Sequence, residues 1–339
     1  IIEQERLVHV ISNFTDFSEW VKWEAAIQLD LRWHSLLASE SDSVLRFLMC
    51  ATEDVLPTPA MLKLWGQGDG ACPQGCVKEK GSLRHILCGC WAALNEKPQS
   101  RIKWRHDSIL LAIFKAVLGV VTRFKQSQAE GKRSGKQEEC GAICFKSHGT
   151  FQMDSKGDGE ETPLQQSESY FHATRTQSKQ SVLATASDWR LLFDIDAPQF
   201  NQKPDELFPS EIVASVDRPD GVIWSRKTKT VIWVELTSPW EENMTIRHFE
   251  KLSKYNQLKI DCEAKGWQVH PLCVEVGCRG YAAQSFQYMC RVLGFNSRET
   301  KALKYSVEKT ALHCSYAIFV HRYQREWSEK PLLDVSQWH

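Results

Sequence analysis

Apolar residues along this chain keep two periods, and the places where the period changes mark its elements. Residues 1–65 read as helical, with Trp20, Trp23, Trp33, Leu36, Phe47 and Leu48 supplying bulky apolar faces until Leu56-Pro57-Thr58-Pro59 breaks the run. Ile109, Leu110, Ile113, Val117 and Val121 recur at helical spacing and predict a helix over 105–124. From about 125 to 181, Gln, Ser, Lys, Glu and Gly dominate and no period emerges. A segment with so little apolar surface cannot offset its ordering entropy, so it is read as a disordered insertion. Strands are predicted over 188–195, 219–225 and 230–237, then a helix from about 243 to 264 ended by Gly266. Residues 267–276 predict another strand, in which Pro271 marks a bulge or an edge position. Helices near 281–293 and 297–319 complete the order: helix, three strands, helix, strand, helices. The fold class is therefore α/β, a mixed sheet flanked by helices.

The runs 219–225 and 230–237 flank the polar turn Ser225-Arg226-Lys227-Thr228-Lys229-Thr230. A hairpin centred between Lys227 and Thr228 sets Asp220 opposite Glu235. Alternation puts Asp220, Val222 and Trp224 on one face, with Val231, Trp233, Glu235 and Thr237 on one face of the partner strand. Both faces of both strands are largely apolar, which predicts central, buried strands. Directly opposed residues have Cβ atoms about 4.5–5.5 Å apart, and two carboxylates that close repel unless a cation or a proton intervenes. The pair is a candidate divalent-metal site, and a structural ion pair is the commoner alternative. Cleavage of a phosphodiester usually needs a further cationic group. Two residues past Glu235 the chain has Thr237, and the candidates on the next helix are Lys251 and Lys254, with Tyr255. Positions 251, 254, 255, 258 and 262 share one helical stripe, so these lysines either turn inward or snorkel to water.

Composition changes the picture in three respects. The chain has 339 residues, enough for two or three modules, and its formal net charge is zero, so any nucleic-acid contact must come from local basic patches. Its twelve cysteines lie in a chain far longer than disulfide scaffolds usually are, with no signal peptide; Cys262, Cys273 and Cys290 sit among apolar residues and read as core. The apolar stretch 109–121 is interrupted by Lys115 and too short to span a bilayer, so a soluble intracellular protein is expected. The first Met is Met49, which suggests a fragment of a longer protein.

Cys72, Cys76, His85 and Cys90 have the spacing Cys-x3-Cys-x8-His-x4-Cys, suited to a tetrahedral zinc site, with Cys88 as a rival for the fourth position. In so short a Gly- and Pro-containing stretch, metal binding would supply the folding energy. A second grouping, Cys140, Cys144 and His148, lacks a fourth ligand. Arg101, Lys103, Trp104, Arg105 and His106 form a basic, aromatic segment that either contacts phosphates and bases or simply starts a solvated helix.

Leu56-Pro57-Thr58-Pro59, the Cys/His cluster, Trp104-Arg105-His106-Asp107, Arg218-Pro219-Asp220, Glu235-Leu236-Thr237 and Lys254-Tyr255 occur in this order. From about Trp20 to His321, excluding the insertion, that order resembles the C-terminal region of non-LTR retrotransposon proteins that carry a restriction-like endonuclease. The resemblance implies a helical linker from an upstream polymerase region (1–65), a CCHC-type zinc knuckle (66–100) and the first helix of a PD-(D/E)XK nuclease core (101–124). The insertion (125–181), the rest of the restriction-endonuclease-like core (182–322) and a tail (323–339) follow. It implies Mg²⁺ held by Asp220 and Glu235, catalytic roles for Lys254, Lys251 and Tyr255, and structural Zn²⁺ on Cys72, Cys76, His85 and Cys90. Arg105, His106, Lys103 and Trp104 are implied to contact nucleic acid. The implied activity is nicking of target DNA to prime reverse transcription of the element's RNA, in the nucleus, beside the reverse transcriptase domain of the same polyprotein. The first cysteine pair is spaced by three residues where the family usually has two. No paired-aspartate polymerase motif occurs in the chain. A non-catalytic remnant that only binds nucleic acid is the chief alternative.

Overall fold

The computed structural model describes residues 23, 25–26, 38–76, 79–96, 100–133, 181–325 and 327. A four-stranded sheet in the order β1–β2–β3–β4 forms its centre: β1 (Arg190–Phe193), β2 (Gly221–Ser225), β3 (Thr230–Thr237) and β4 (Gln268–Glu275). The first three are an antiparallel meander, and β4 pairs parallel to β3. A parallel neighbour requires a long crossover, here made by α5 (Met244–Lys254) and α6 (Asn256–Ala264). Gly221 pairs with Val234 and Ser225 with Thr230, so Asp220 stands opposite Glu235 at the open end of the hairpin. Pro271, which has no N–H to donate, lies on β4 at the edge of the sheet.

Alternation along the central strands feeds two cores. Val222, Trp224, Val231 and Trp233 pack with Tyr255, Leu258 and Cys262 of the crossover. Ile223, Ile232, Val234 and Leu236 face the other way, onto Ile109, Ile113 and Val117 of α4 (Arg101–Arg133), Phe286 and Met289 of α7 (Gln284–Leu293), and Val307 of α8 (Ser297–Val320). A further apolar cluster joins α1 (Asp42–Thr52) and the π-helical turn His85–Gly89 to the C-terminal half of α8, through Phe47, Leu48, Leu87, Leu312 and Ile318. Two short helices, α2 (Pro59–Leu64) and α3 (Trp91–Leu94), flank the Cys/His segment.

Local signals set the ends of these elements. Ser41 and Thr58 cap α1 and α2 by accepting the N–H of Val44 and Met61, and Pro59 opens α2 where its missing N–H is not needed. Asn296 and Glu299 form a capping box on α8. Gly294 closes α7 with φ of 78°, a conformation that favours glycine.

The structure departs from the expected boundaries in two places. The helix expected over 243–264 breaks at Tyr255 (φ −99°, ψ 13°), whose ring lies 6.3 Å from that of Trp233 and whose hydroxyl reaches the end of β3. α4 starts at Arg101 and continues to Arg133, into the segment expected to be disordered from about 125. Its polar residues find partners there: Lys125 Nζ donates to the Trp189 carbonyl at 3.0 Å and Gln128 Nε2 to that of Ala184 at 3.0 Å. Most of 1–37, all of 134–180, including Cys140, Cys144 and His148, and most of the tail lie outside the described residues.

Gly221 tests the packing beneath the hairpin. A Cβ there would meet the Phe193 ring at 2.5 Å. Gly221→Ala is therefore expected to lose about 1–3 kcal/mol in urea unfolding; wild-type stability in that variant would contradict the close approach of β1.

Candidate functional site

Asp220 and Glu235 are held at the same end of the hairpin by the ladder itself. The Leu236 N–H donates to Asp220 Oδ2 at 2.7 Å, and the Asp220 N–H donates to Glu235 Oε2 at 3.3 Å. The Glu235 side chain is 2% exposed and that of Asp220 16%. Lys251, on α5, donates to Glu235 Oε1, and Lys254 Nζ lies 3.7 Å from the same oxygen. The Tyr255 hydroxyl is 2.9 Å from Glu235 Oε2 and 3.0 Å from the Arg218 carbonyl, and it accepts from Lys254 Nζ at 2.7 Å. Lys251 thus turns in to Glu235, whereas Lys254 borders the same oxygen while staying half exposed.

His106 reaches the site from α4. Its Nε2 is 3.3 Å from Asp220 Oδ2 and 3.1 Å from the Leu236 carbonyl, and its Nδ1 is 3.0 Å from Asp107 Oδ1. These neighbours set the charge states. Burial acts to raise the Asp220 carboxyl, but the His106 imidazolium, the Leu236 N–H and the Lys251 ammonium outweigh it and hold Asp220 below the usual carboxylate range. Burial and the Asp220 charge push Glu235 up, against Lys251 and Lys254. Burial disfavours the charged form of His106, yet Asp220 and Asp107 overcome it and push the imidazole up to about 10. Burial and the Glu235 carboxylate raise the Tyr255 phenol.

The second cluster lies in the Cys/His segment. Ligand atoms of Cys72, His85 and Cys90, all buried, lie within 4.8 Å of one another and could hold a metal ion. The two thiols are 3.7 Å apart and His85 Nε2 is 3.2 Å from Cys72 Sγ. Glu79 Oε2 lies 2.7 Å from His85 Nδ1, the arrangement by which a carboxylate orients a metal-ligating imidazole. Cys76 packs beside this cluster, but its Sγ is not in the mutually close set. Cys88 does not join it: its thiol donates to the Arg84 carbonyl and lies against Cys278, whose hydrogen bond lowers the Cys88 pKa. Burial pushes the Cys90 thiol up to about 11.

The basic, aromatic segment is not a surface patch. Arg101 is 1% exposed, bonded to Glu96 at 2.7 Å and stacked on Trp327. Trp104 is buried edge-on against Trp327, so its ring is not free to stack on a base. Arg105 is fully buried and donates to Ser315 Oγ at 3.0 Å and to the Ser238 carbonyl at 3.3 Å. Lys103 alone is exposed, and His106 turns to Asp220. The helix start offered as the alternative does form, at Arg101, but it is buried rather than solvated, and the local pattern does not reveal that burial. A groove of about 600 Å³ separates the Cys/His segment from the end of β3, with Arg84, Arg247 and Lys251 among its walls.

Residues the sequence pattern did not single out also meet here. Glu275, at the end of β4 and paired with Thr237, is 3.1 Å from His248 Nδ1 and accepts the Ser285 hydroxyl at 2.6 Å. Glu79 is the carboxylate beside His85. Neither has a local signal, since both are defined by contacts between distant elements. Among the described residues, no helix is long and apolar enough to cross a membrane. Compared with protein-family models and with curated proteins, the chain matches none.

Proposed function

We propose that this chain is the metal-dependent DNA endonuclease module of a non-LTR retrotransposon protein, with a PD-(D/E)XK core that nicks target DNA to prime reverse transcription. The observation that carries the reading is Glu235 flanked by Asp220 across the hairpin and by Lys251 from the crossover helix. The donor set fits a hard divalent cation such as Mg²⁺: carboxylate oxygens at one sheet end, with both side-chain hydrogen bonds to Asp220 falling on Oδ2. Two acids so placed raise each other's proton affinity, and the upward push of Asp220 on Glu235 is the electrostatic demand that a cation would relieve. When bound, such a cation supplies Lewis-acid activation of water and stabilisation of phosphorane charge.

The residues divide the remaining work. Asp220 and Glu235 hold the cation, and Lys251 stands where an ammonium would steady developing negative charge. Lys254 and Tyr255 hold Glu235 in place. Cys72, His85 and Cys90, with Cys76 as the fourth ligand, form a structural zinc knuckle oriented by Glu79. Target DNA, element RNA and an upstream reverse transcriptase domain are the partners, and the nucleus is the place of action. One observation favours the second reading, a remnant that binds nucleic acid without cutting it: Glu235 has both oxygens engaged by Lys251 and Tyr255.

Supercoiled plasmid incubated with purified chain and Mg²⁺ separates the two. Wild type is expected to nick it, and Asp220→Ala to do so at least about a hundredfold more slowly. Equal nicking by both, or none by either, would overturn the catalytic reading.

A further inference from the structure

We infer that Glu275 and His248 are positioning residues for Lys251, fixing α5 over the end of β3 so that the ammonium stands at Glu235. This deepens the nuclease reading and rests on it. An ammonium two residues past Glu235 would be placed by the ladder, but that position holds Thr237 and the lysine rides on α5 instead. Its place is therefore only as fixed as the helix. α5 has little apolar grip on the sheet: of its eleven residues only Met244 and His248 are buried, and Ile246 is 55% exposed. Met244, His248, Lys251 and the capping Tyr255 recur at i, i+4, i+7 and i+11, the stripe that apolar side chains fill in an ordinary surface helix.

Two polar members of that stripe each meet a buried carboxylate at the end of a neighbouring strand. Lys251 donates to Glu235 on β3, and His248 Nδ1 lies 3.1 and 3.2 Å from the two oxygens of Glu275 on β4. Glu275 is paired with Thr237, so the His248 contact falls beside the strand position that lacks a lysine. Glu275 is held in turn by Ser285 at the start of α7, whose hydroxyl donates to Oε2 at 2.6 Å, and its side chain is 2% exposed. Two contacts three residues apart fix both the height of α5 over the sheet and its rotation about its own axis, which one contact would leave free. Misplacing a reacting group by about 1 Å costs up to about a hundredfold in rate. A pair that served stability alone would use the same contacts, and the two accounts part at Lys251.

The test uses the full chain and two readouts, nicking of supercoiled plasmid and acetylation of single lysines followed by mass spectrometry. Glu275→Gln is expected to lower kcat for nicking by about tenfold or more with KM unchanged. His248→Ala should match it, and His248→Asn, which restores a side-chain donor near the place of Nδ1, should recover most of the rate. In a Lys251→Met background Glu275→Gln should add less than about a further twofold; an equal loss in both backgrounds overturns the positioning role. Under brief acetylation Lys251 should react about tenfold faster in Glu275→Gln than in the wild type, with Lys259 and Lys265 unchanged. An unchanged Lys251, or an equal rise at all three lysines, overturns the positioning role whether or not the chain nicks DNA. A selective rise at Lys251 in a chain whose wild type does not nick overturns the nuclease reading alone. If Glu275→Gln fails to fold, His248→Ala against His248→Asn gives the same comparison at Lys251.

Discussion

Glu241→Ala is expected to cost about 3–5 kcal/mol of folding stability. Arg279 is 1% exposed, and Glu241 supplies its principal counter-charge by accepting Nε and the backbone N–H at 2.7 Å each. Glu242 takes the remaining guanidinium edge at 2.9 Å, and the plane is sandwiched between Trp240 and Trp23, 3.6 and 3.9 Å from the two ring centroids. Gly277 belongs to the same device, since a Cβ there would overlap the Glu241 carboxylate. Removing Glu241 leaves the buried guanidinium with Glu242 alone to compensate it, while removing both Glu241 and Arg279 removes the demand. Urea unfolding should therefore show a large loss for Glu241→Ala and partial recovery in the double variant Glu241→Leu with Arg279→Leu. A loss below about 1 kcal/mol for the single variant would mean that the pair is effectively solvated.

Removal of the proposed zinc is expected to have the larger effect on the segment from Cys72 to Cys90. Its own apolar cluster is small, built on Cys72, Cys90 and Ala93 with Cys76, Ala92 and Ile102 beside them. Structural zinc contributes about 10–16 kcal/mol of apparent binding energy in small domains, far more than so few side chains supply. A strong chelator should lower the midpoint of thermal unfolding and expose Cys72 and Cys90 to alkylation, read site by site by mass spectrometry. Cys262, buried beneath the crossover, serves as the internal control. Equal alkylation of Cys72 and Cys90 with and without chelator would show that no metal holds them.

Much of the carboxylate centre was legible from local pattern. The hairpin register follows from two apolar runs placed symmetrically about Lys227 and Thr228, and β2 and β3 keep it. The assignment of strand faces rests on period-2 alternation, and the two core clusters divide along it. The stripe through Lys251, Lys254 and Tyr255 is a helical pattern, and both lysines lie at Glu235. Long-range relations were not legible. Nothing local says that His106 meets Asp220 across more than a hundred residues of chain, or that Arg105 and Trp104 are interior. Basic and aromatic residues read as an exposed patch unless their partners are known, and here Ser315, the Ser238 carbonyl and Trp327 come from remote elements. The break at Tyr255 has the same origin, because helix propensity gives no notice of a phenol tied to Glu235.

α8 has a consequence for how the molecule comes apart. Leu303, Val307 and Ala311 of this helix belong to the core beneath the sheet, whereas Leu312, Ile318 and Phe319 belong to the cluster under α1 and the Cys/His segment. One continuous helix is a wall of both, tied at Lys309 and His313 to Glu40. Opening either cluster exposes part of the same rigid rod, so sub-global opening of one side raises the free energy of the other. The sheet and the Cys/His segment therefore share a single cooperative unit, and a lesion at Cys72, His85 or Cys90 is expected to show as loss of protection in amides of the sheet.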